Sequence, residues 1–80
     1  MPEVILIVDD EPAYRRLLST VLQQSGYLTI EAADGPAALE IVQRKVIDAA
    51  VIDLCMPVMD GRELMQRLKR RDPELPAIIC

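Results

Sequence analysis

Three aspartates follow two short apolar runs of this chain. Asp9 and Asp10 come directly after the run 4–8, and Asp53 comes directly after the run 49–52. If both runs are buried parallel strands, these carboxylates lie at the carboxyl edge of the sheet, where open α/β sheets bind ligands. Like charges about 4 Å apart repel by about 4 kcal/mol at an effective dielectric near 20, so such a group favours a cation. Mg²⁺ fits best because it binds one or two carboxylates and leaves positions open for phosphate oxygens, which indicates a site that handles phosphate.

The composition narrows the chemistry to carboxylates. The chain has no histidine, which excludes histidine-based acid–base catalysis, serine–histidine pairs and the usual zinc sites. Neither G-x-x-x-x-G-K-[ST] nor G-x-G-x-x-G occurs, so a nucleotide-binding loop has no support. The net charge of −4 argues against direct nucleic-acid binding, because a phosphate backbone requires a basic surface.

Length and cysteine usage bound the class of protein. Eighty residues form at most one domain, which buries about 60 to 65% of the surface of its unfolded chain. The first apolar run is too short to span a membrane and no secretion signal precedes it, so neither membrane insertion nor secretion is expected. Cys55 and Cys80 fit no metal-binding spacing and are interpreted as small apolar fillers. We therefore expect a cytoplasmic protein.

The hydrophobic pattern alternates between strands and helices. The first helix follows a cap at Asp10 or Glu11 and ends at Gly26. Short links between the elements predict a parallel sheet with right-handed crossovers. The predicted elements are a strand at 4–8, a helix from residue 12, a strand at 27–33, a helix at about 36–45, a strand at 48–54, a helix from about 61 to 71, and a strand at 76–80.

The sequence of the first helix predicts which of its side chains are buried, and the third helix ends in a cluster of basic side chains. On the first helix, the apolar residues form one stripe, and the polar residues are expected to face water. The basic last turn of the third helix could be a nucleic-acid patch, but cations are also favoured there by the helix dipole, and we prefer that explanation. The stripe is Tyr14, Leu17, Leu18, Val21 and Leu22; the polar set is Arg15, Arg16, Thr20, Gln23 and Gln24; the basic turn is Arg67, Lys69, Arg70 and Arg71.

Two motifs together resemble the receiver domain of bacterial two-component response regulators. One is the pair Asp9-Asp10 after the first strand, and the other is Asp53 followed by Met-Pro-x-Met-Asp-Gly at 56–61. Residues 33–39 are also similar to the family's turn between the second strand and the second helix. The resemblance implies an α/β, flavodoxin-like, three-layer parallel sheet with strand order 2-1-3-4. The first helix would lie on one face, and the second and third helices on the other.

The resemblance also implies a function. Asp53 would be the phosphoacceptor, taking a phosphoryl group from a phosphohistidine on a sensor histidine kinase or phosphotransfer protein. Asp10 and Asp53 would bind Mg²⁺ directly, Asp9 would act through water, and Cys55 would contribute its backbone carbonyl. Taken alone, Asp9 and Asp10 fit a helix N-cap pair equally well, and Asp53 fits a turn residue that ends a strand.

An enzymatic function is not expected. Phosphatases of the haloacid-dehalogenase type also use an aspartate nucleophile with Mg²⁺ after the first strand, but they require Asp-x-Asp. The segment Asp9-Asp10-Glu11 does not supply that motif. We therefore interpret the chain as a phosphoacceptor module.

Residues 1–80 do not include the later elements of the family. The family's Ser or Thr after the fourth strand, its Lys at the end of the fifth strand, its fourth helix, its fifth strand and its fifth helix do not occur in 1–80. We expect residues 1–80 to be the N-terminal part of a receiver domain without an effector domain, with an uncovered fourth strand that could mediate self-association. The alternative function is a truncated receiver-fold binding or dimerisation module that no longer cycles phosphate.

Overall fold

The computed structural model describes residues 2–80. Its four strands form one parallel sheet in the order β2-β1-β3-β4, and three helices cover its faces, so the predicted α/β architecture is confirmed. Within the described residues, none of the helices combines the length and apolar character needed to cross a membrane. The elements are β1 (Val4–Val8), α1 (Pro12–Gln24), β2 (Leu28–Ala32), α2 (Gly35–Arg44), β3 (Ala49–Ile52), α3 (Gly61–Arg71) and β4 (Ala77–Ile79).

Each helix begins at an acidic cap placed just after a strand or loop. Glu11, Asp34 and Asp60 occupy the N-cap positions, and each accepts a hydrogen bond from an amide of the first turn. Of the two caps predicted for α1, the structure selects Glu11, whose carboxylate lies 3.2 Å from the Ala13 amide. The caps satisfy first-turn donors that would otherwise lack a partner, so the helices start at defined positions.

The helices lie on the predicted faces of the sheet. Residues of α2 and α3 pack with alternate side chains of the strands into one buried cluster, in which Leu6, Ile52 and Leu64 are fully buried. Alternate strand residues share a face, so the residues between them point toward α1. β1 has its predicted bounds, and the other three strands are shorter than predicted by one or two residues at each end, where assigned strand ends commonly differ.

The α1 side of the sheet is only partly covered. The predicted stripe of α1 is split: Leu18 is half-buried, whereas Leu17 and Val21 remain 61% and 49% exposed. On the same side of the sheet, Ile78 of β4 is 64% exposed. This is the uncovered surface expected from the sequence, and self-association through it stays a prediction.

Candidate functional site

The three aspartates singled out in the sequence meet at the carboxyl edge of the sheet. β1 and β3 are neighbours, and Val8 pairs with Ile52, so the residues that follow each strand lie side by side. One carboxylate oxygen from each of Asp9, Asp10 and Asp53 lies within 4.8 Å of the other two. Strand pairing thus brings together groups that are 43 and 44 positions apart in the chain.

Hydrogen bonds fix Asp9 on several sides. The residue is buried, at 9% exposure, and its Oδ1 accepts a hydrogen bond from the Glu11 amide at 2.9 Å. Its own amide donates to the Ala32 carbonyl of the neighbouring strand at 3.2 Å. Asp10, in contrast, is exposed. The loop therefore holds one carboxylate firmly and presents the next one to solvent.

Hydrogen bonds fix both the main chain and the side chain of Asp53. Its amide donates to the Val8 carbonyl at 2.9 Å, and its Oδ1 accepts from the Cys55 amide at 3.2 Å. On the other side, the Gly61 amide donates to the Leu54 carbonyl at 3.0 Å, which holds the start of α3 against the end of β3. The backbone carbonyl of Cys55 stays a predicted metal ligand.

The carboxylates line a shallow depression of about 380 Å³. Within residues 2–80, no lysine or arginine lines it, so the negative charges are not balanced by side chains. Oxygen-only, carboxylate-rich donor sets suit hard divalent cations such as Mg²⁺. The residues present therefore fit the ion that the sequence predicted. The lining residues are Asp9, Asp10, Glu11, Tyr14, Asp53 and Cys80.

The loop that follows Asp53 contains a backbone conformation rare for its residue type. Val58 has φ of 72°, and the Met59 amide donates to the Pro57 carbonyl at 2.8 Å across it, which closes a tight turn. A β-branched residue at positive φ is strained, and such strain costs about 1 to 3 kcal/mol. Because Val58 is 90% exposed, no packing compensates for this cost.

We expect Val58→Gly to raise the free energy of unfolding by about 1 kcal/mol. Relief of the strain exceeds the roughly 0.5 to 1 kcal/mol by which glycine's extra freedom stabilises the unfolded chain. Chemical denaturation measures the change. Val46→Gly is the matched control, because Val46 is 83% exposed without a positive φ, and it should lose stability. Equal losses in both variants would contradict the assigned strain.

Sequence reasoning missed one residue next to the site. Arg15 was expected to face water, yet its side chain is only 16% exposed and its Nη1 donates to the Asp9 carbonyl at 2.8 Å. Its Nε also pairs with Glu31 of β2 at 3.0 Å. The helical pattern placed Arg15 on the polar side of α1, but it could not show that this side faces β2.

Known proteins are similar to this chain in sequence. Residues 5–80 match the family model for the response regulator receiver domain. The chain is 43% identical over 79 residues to sporulation initiation phosphotransferase F of Bacillus subtilis, covering 99% of this chain and 64% of that protein. This chain also matches response regulator GtcR of Aneurinibacillus migulanus, of which it spans 32%, and the probable transcriptional regulator ycf27 of Guillardia theta, of which it spans 30%. The chain thus corresponds to under two thirds of the length of these curated relatives.

Solved structures agree with the sequence match. The chemotaxis protein CheY4 of Vibrio cholerae superposes with a TM-score of 0.95 at 32% identity, covering 99% of this chain and 68% of that one. TrrA of Thermotoga maritima, solved in complex with Mg(2+)-BeF, gives a TM-score of 0.88 at 34% identity, covering 96% and 65%. TrrA has also been solved in complex with the histidine kinase ThkA. The chain belongs to the response regulator receiver domain family of two-component signalling proteins.

Proposed function

We propose that this chain is a phosphoacceptor module that takes a phosphoryl group from a histidine kinase or phosphotransfer protein onto Asp53. The observation that carries the proposal is the convergence of Asp9, Asp10 and Asp53 within 4.8 Å at the carboxyl edge of the sheet. Membership of the receiver family supports it. The structure of TrrA with a histidine kinase supports the class of partner.

The reaction requires little chemistry from the protein. A carboxylate oxygen of Asp53 forms a bond to phosphorus, the bond from phosphorus to the donor nitrogen breaks, and the donor imidazole leaves with that electron pair and takes up a proton. An ionised carboxylate is already a nucleophile, so no general base is needed. Asp53 has the access that this attack needs, because it is half-buried at the edge of an open depression.

Asp10 and Asp53 would hold Mg²⁺ directly, Asp9 would act through water, and the Cys55 carbonyl would add a neutral ligand. When bound, the ion supplies positive charge to the phosphoryl oxygens and reduces repulsion among the carboxylates. The protein's own contribution is position: the Glu11 amide orients the Asp9 side chain, and the Cys55 amide orients that of Asp53.

The module is a phosphoacceptor in this proposal, not an enzyme with turnover. Cytoplasmic location stays a prediction.

The proposal predicts a metal-dependent gain in mass. With acetyl phosphate as donor and Mg²⁺ present, intact mass spectrometry should show the addition of one phosphoryl group. Chelating the Mg²⁺ should lower the rate by at least about 100-fold, because one preorganised electrostatic contact alone contributes about 10²- to 10³-fold. Equal labelling with and without the metal would contradict the role of the acidic cluster.

A second candidate is the binding or dimerisation module expected from the sequence, with a second copy of the chain as partner. The exposed apolar residues Leu17, Val21 and Ile78 favour it. Folded protein that gains no phosphoryl mass under any metal condition, and that sediments as a dimer, would support this candidate instead.

A further inference from the structure

Arg15 links three elements near the acidic site. It lies in the first turns of α1, and its guanidinium donates to the Asp9 carbonyl at 2.8 Å and to Glu31 Oε1 at 3.0 Å. Glu31 pairs with Ile7 across β2 and β1, so it stands one position before the end of its strand. The side chain of Arg15 therefore connects the helix both to β2 and to the loop that carries two of the three aspartates.

The carbonyl that Arg15 contacts belongs to the peptide unit between Asp9 and Asp10. The Asp9 amide and carboxylate already have partners in Ala32 and Glu11, and Arg15 supplies the partner for the remaining polar group of Asp9. Fixing this peptide plane sets the direction in which the chain continues to Asp10, which is exposed. Groups that orient metal-binding residues in this way typically change metal affinity by about 10- to 100-fold when removed.

We propose that Arg15 is a positioning residue that holds the Asp9–Asp10 peptide in the conformation that binds Mg²⁺. The inference rests on the proposed function, because it concerns the metal site of the phosphoacceptor. Arginine suits this role because its planar fork donates in two fixed directions, whereas lysine presents a single flexible ammonium group. Glu31 holds the guanidinium through Nε, while Nη1 donates to the carbonyl.

A positioning role and a purely electrostatic role for Arg15 predict opposite changes in Mg²⁺ affinity when the residue is replaced. A guanidinium that contacts the main chain of the loop bearing Asp9 and Asp10 adds positive charge near a divalent cation bound there, so removing its charge alone should tighten Mg²⁺ binding. If Arg15 positions the peptide, removing it should weaken binding despite the loss of a repelling charge. The sign of the change therefore separates the two explanations.

The test uses Mg²⁺ alone as the probe, titrated into the whole chain while two-dimensional proton–nitrogen NMR follows the amides of residues 9–11 and 53–55. We expect Arg15→Gln to raise the dissociation constant about tenfold. Arg15→Lys should give an intermediate value. The matched control is Arg16→Gln, which removes the same charge from the next residue of α1. Arg16 is exposed and forms no ion pair within residues 2–80, so its variant should bind Mg²⁺ as the unaltered chain does or slightly more tightly.

The inference is overturned if Arg15→Gln binds Mg²⁺ as tightly as Arg16→Gln, or more tightly. If Arg15→Gln does not fold, Arg15→Lys serves as the test variant. An unchanged dissociation constant for Mg²⁺ in Arg15→Lys would then contradict the inference. Failure of the proposed function has a different signature, since the unaltered chain and all variants would then show no saturable shift with Mg²⁺. That result would remove this inference as well.

Discussion

Asp53→Asn is expected to reduce phosphoryl transfer from acetyl phosphate to less than about a thousandth of the rate of the unaltered chain. The amide has no ionised oxygen, so the attacking nucleophile is lost while the size of the side chain is kept. The same change removes one of three like charges, which should leave the metal-free fold as stable as before, or more stable by about 1 kcal/mol. Loss of activity would therefore not reflect loss of structure.

The control for this change is Asp60→Asn. Asp60 lies in the same loop but caps α3, accepting from the Glu63 amide at 2.9 Å, and asparagine caps a helix about as well as aspartate. Asp60→Asn should gain the phosphoryl mass normally. A second readout is thermal: Mg²⁺ should raise the unfolding temperature of the unaltered chain and much less that of Asp53→Asn, because only a bound ligand stabilises the fold. Normal labelling of Asp53→Asn would refute the assigned nucleophile.

Gly61→Ala is expected to lower the free energy of unfolding by about 3 kcal/mol. A Cβ on Gly61 would lie 2.9 Å from the Asp53 carbonyl carbon and from the Leu54 Cα, and closer still to the Asp53 oxygen. Because these are backbone atoms at the end of a buried strand, they cannot move aside without distorting the site. For a domain of this size, the loss corresponds to a drop of about 12 to 24 °C in the unfolding temperature.

Gly35→Ala is the matched control for Gly61→Ala. Both glycines are the first residue of a helix and follow an aspartate cap, so helix propensity and capping change equally. At Gly35, however, the nearest atoms to a Cβ would all belong to the Met59 side chain, 2.7 Å away at its sulfur and 3.0 Å away at its Cβ. A flexible thioether can rearrange, so we expect a loss of about 1 kcal/mol or less. Similar losses at both positions would contradict the close approach of α3 to Asp53.

The fold could be predicted because its signals are local. The run Val4–Val8 is continuously apolar, as expected of a strand covered on both faces, and four of its five residues are buried. β2 has mixed polarity and is an edge strand, as predicted. Gly26, with φ of 95°, ends α1 as a glycine after a helix does.

The side-chain environment of α1 could not be predicted in the same way. Helical periodicity identifies an apolar stripe, but it does not show where on the sheet the helix rests. Polar contacts hold α1 over β2: Ser19 is buried, and its Oγ lies 2.6 Å from Thr29 Oγ1. Leu17 consequently lies on the open side of the helix, and Arg15 lies against Glu31 instead of in water.

The acidic cluster was partly predictable. That three carboxylates follow two strands is visible in the sequence, and their meeting follows from strand order, which the structure confirms. The geometry around them is non-local. Two contacts depend on the distance at which helices pack against strand ends: the hydrogen bond from Arg15 to the Asp9 carbonyl, and the contact of Gly61 with Asp53. The spacing of residues in the sequence does not encode this distance.

The most direct test of the central claim is to locate the phosphoryl group. After reaction with acetyl phosphate and Mg²⁺, borohydride reduces an aspartyl phosphate to homoserine, and tandem mass spectrometry of the peptides then identifies the altered position. We predict homoserine at residue 53 and aspartate at residues 9, 10 and 60. Homoserine at any of those other positions, or unaltered aspartate at residue 53 in labelled protein, would contradict the assignment of Asp53 as the phosphoacceptor.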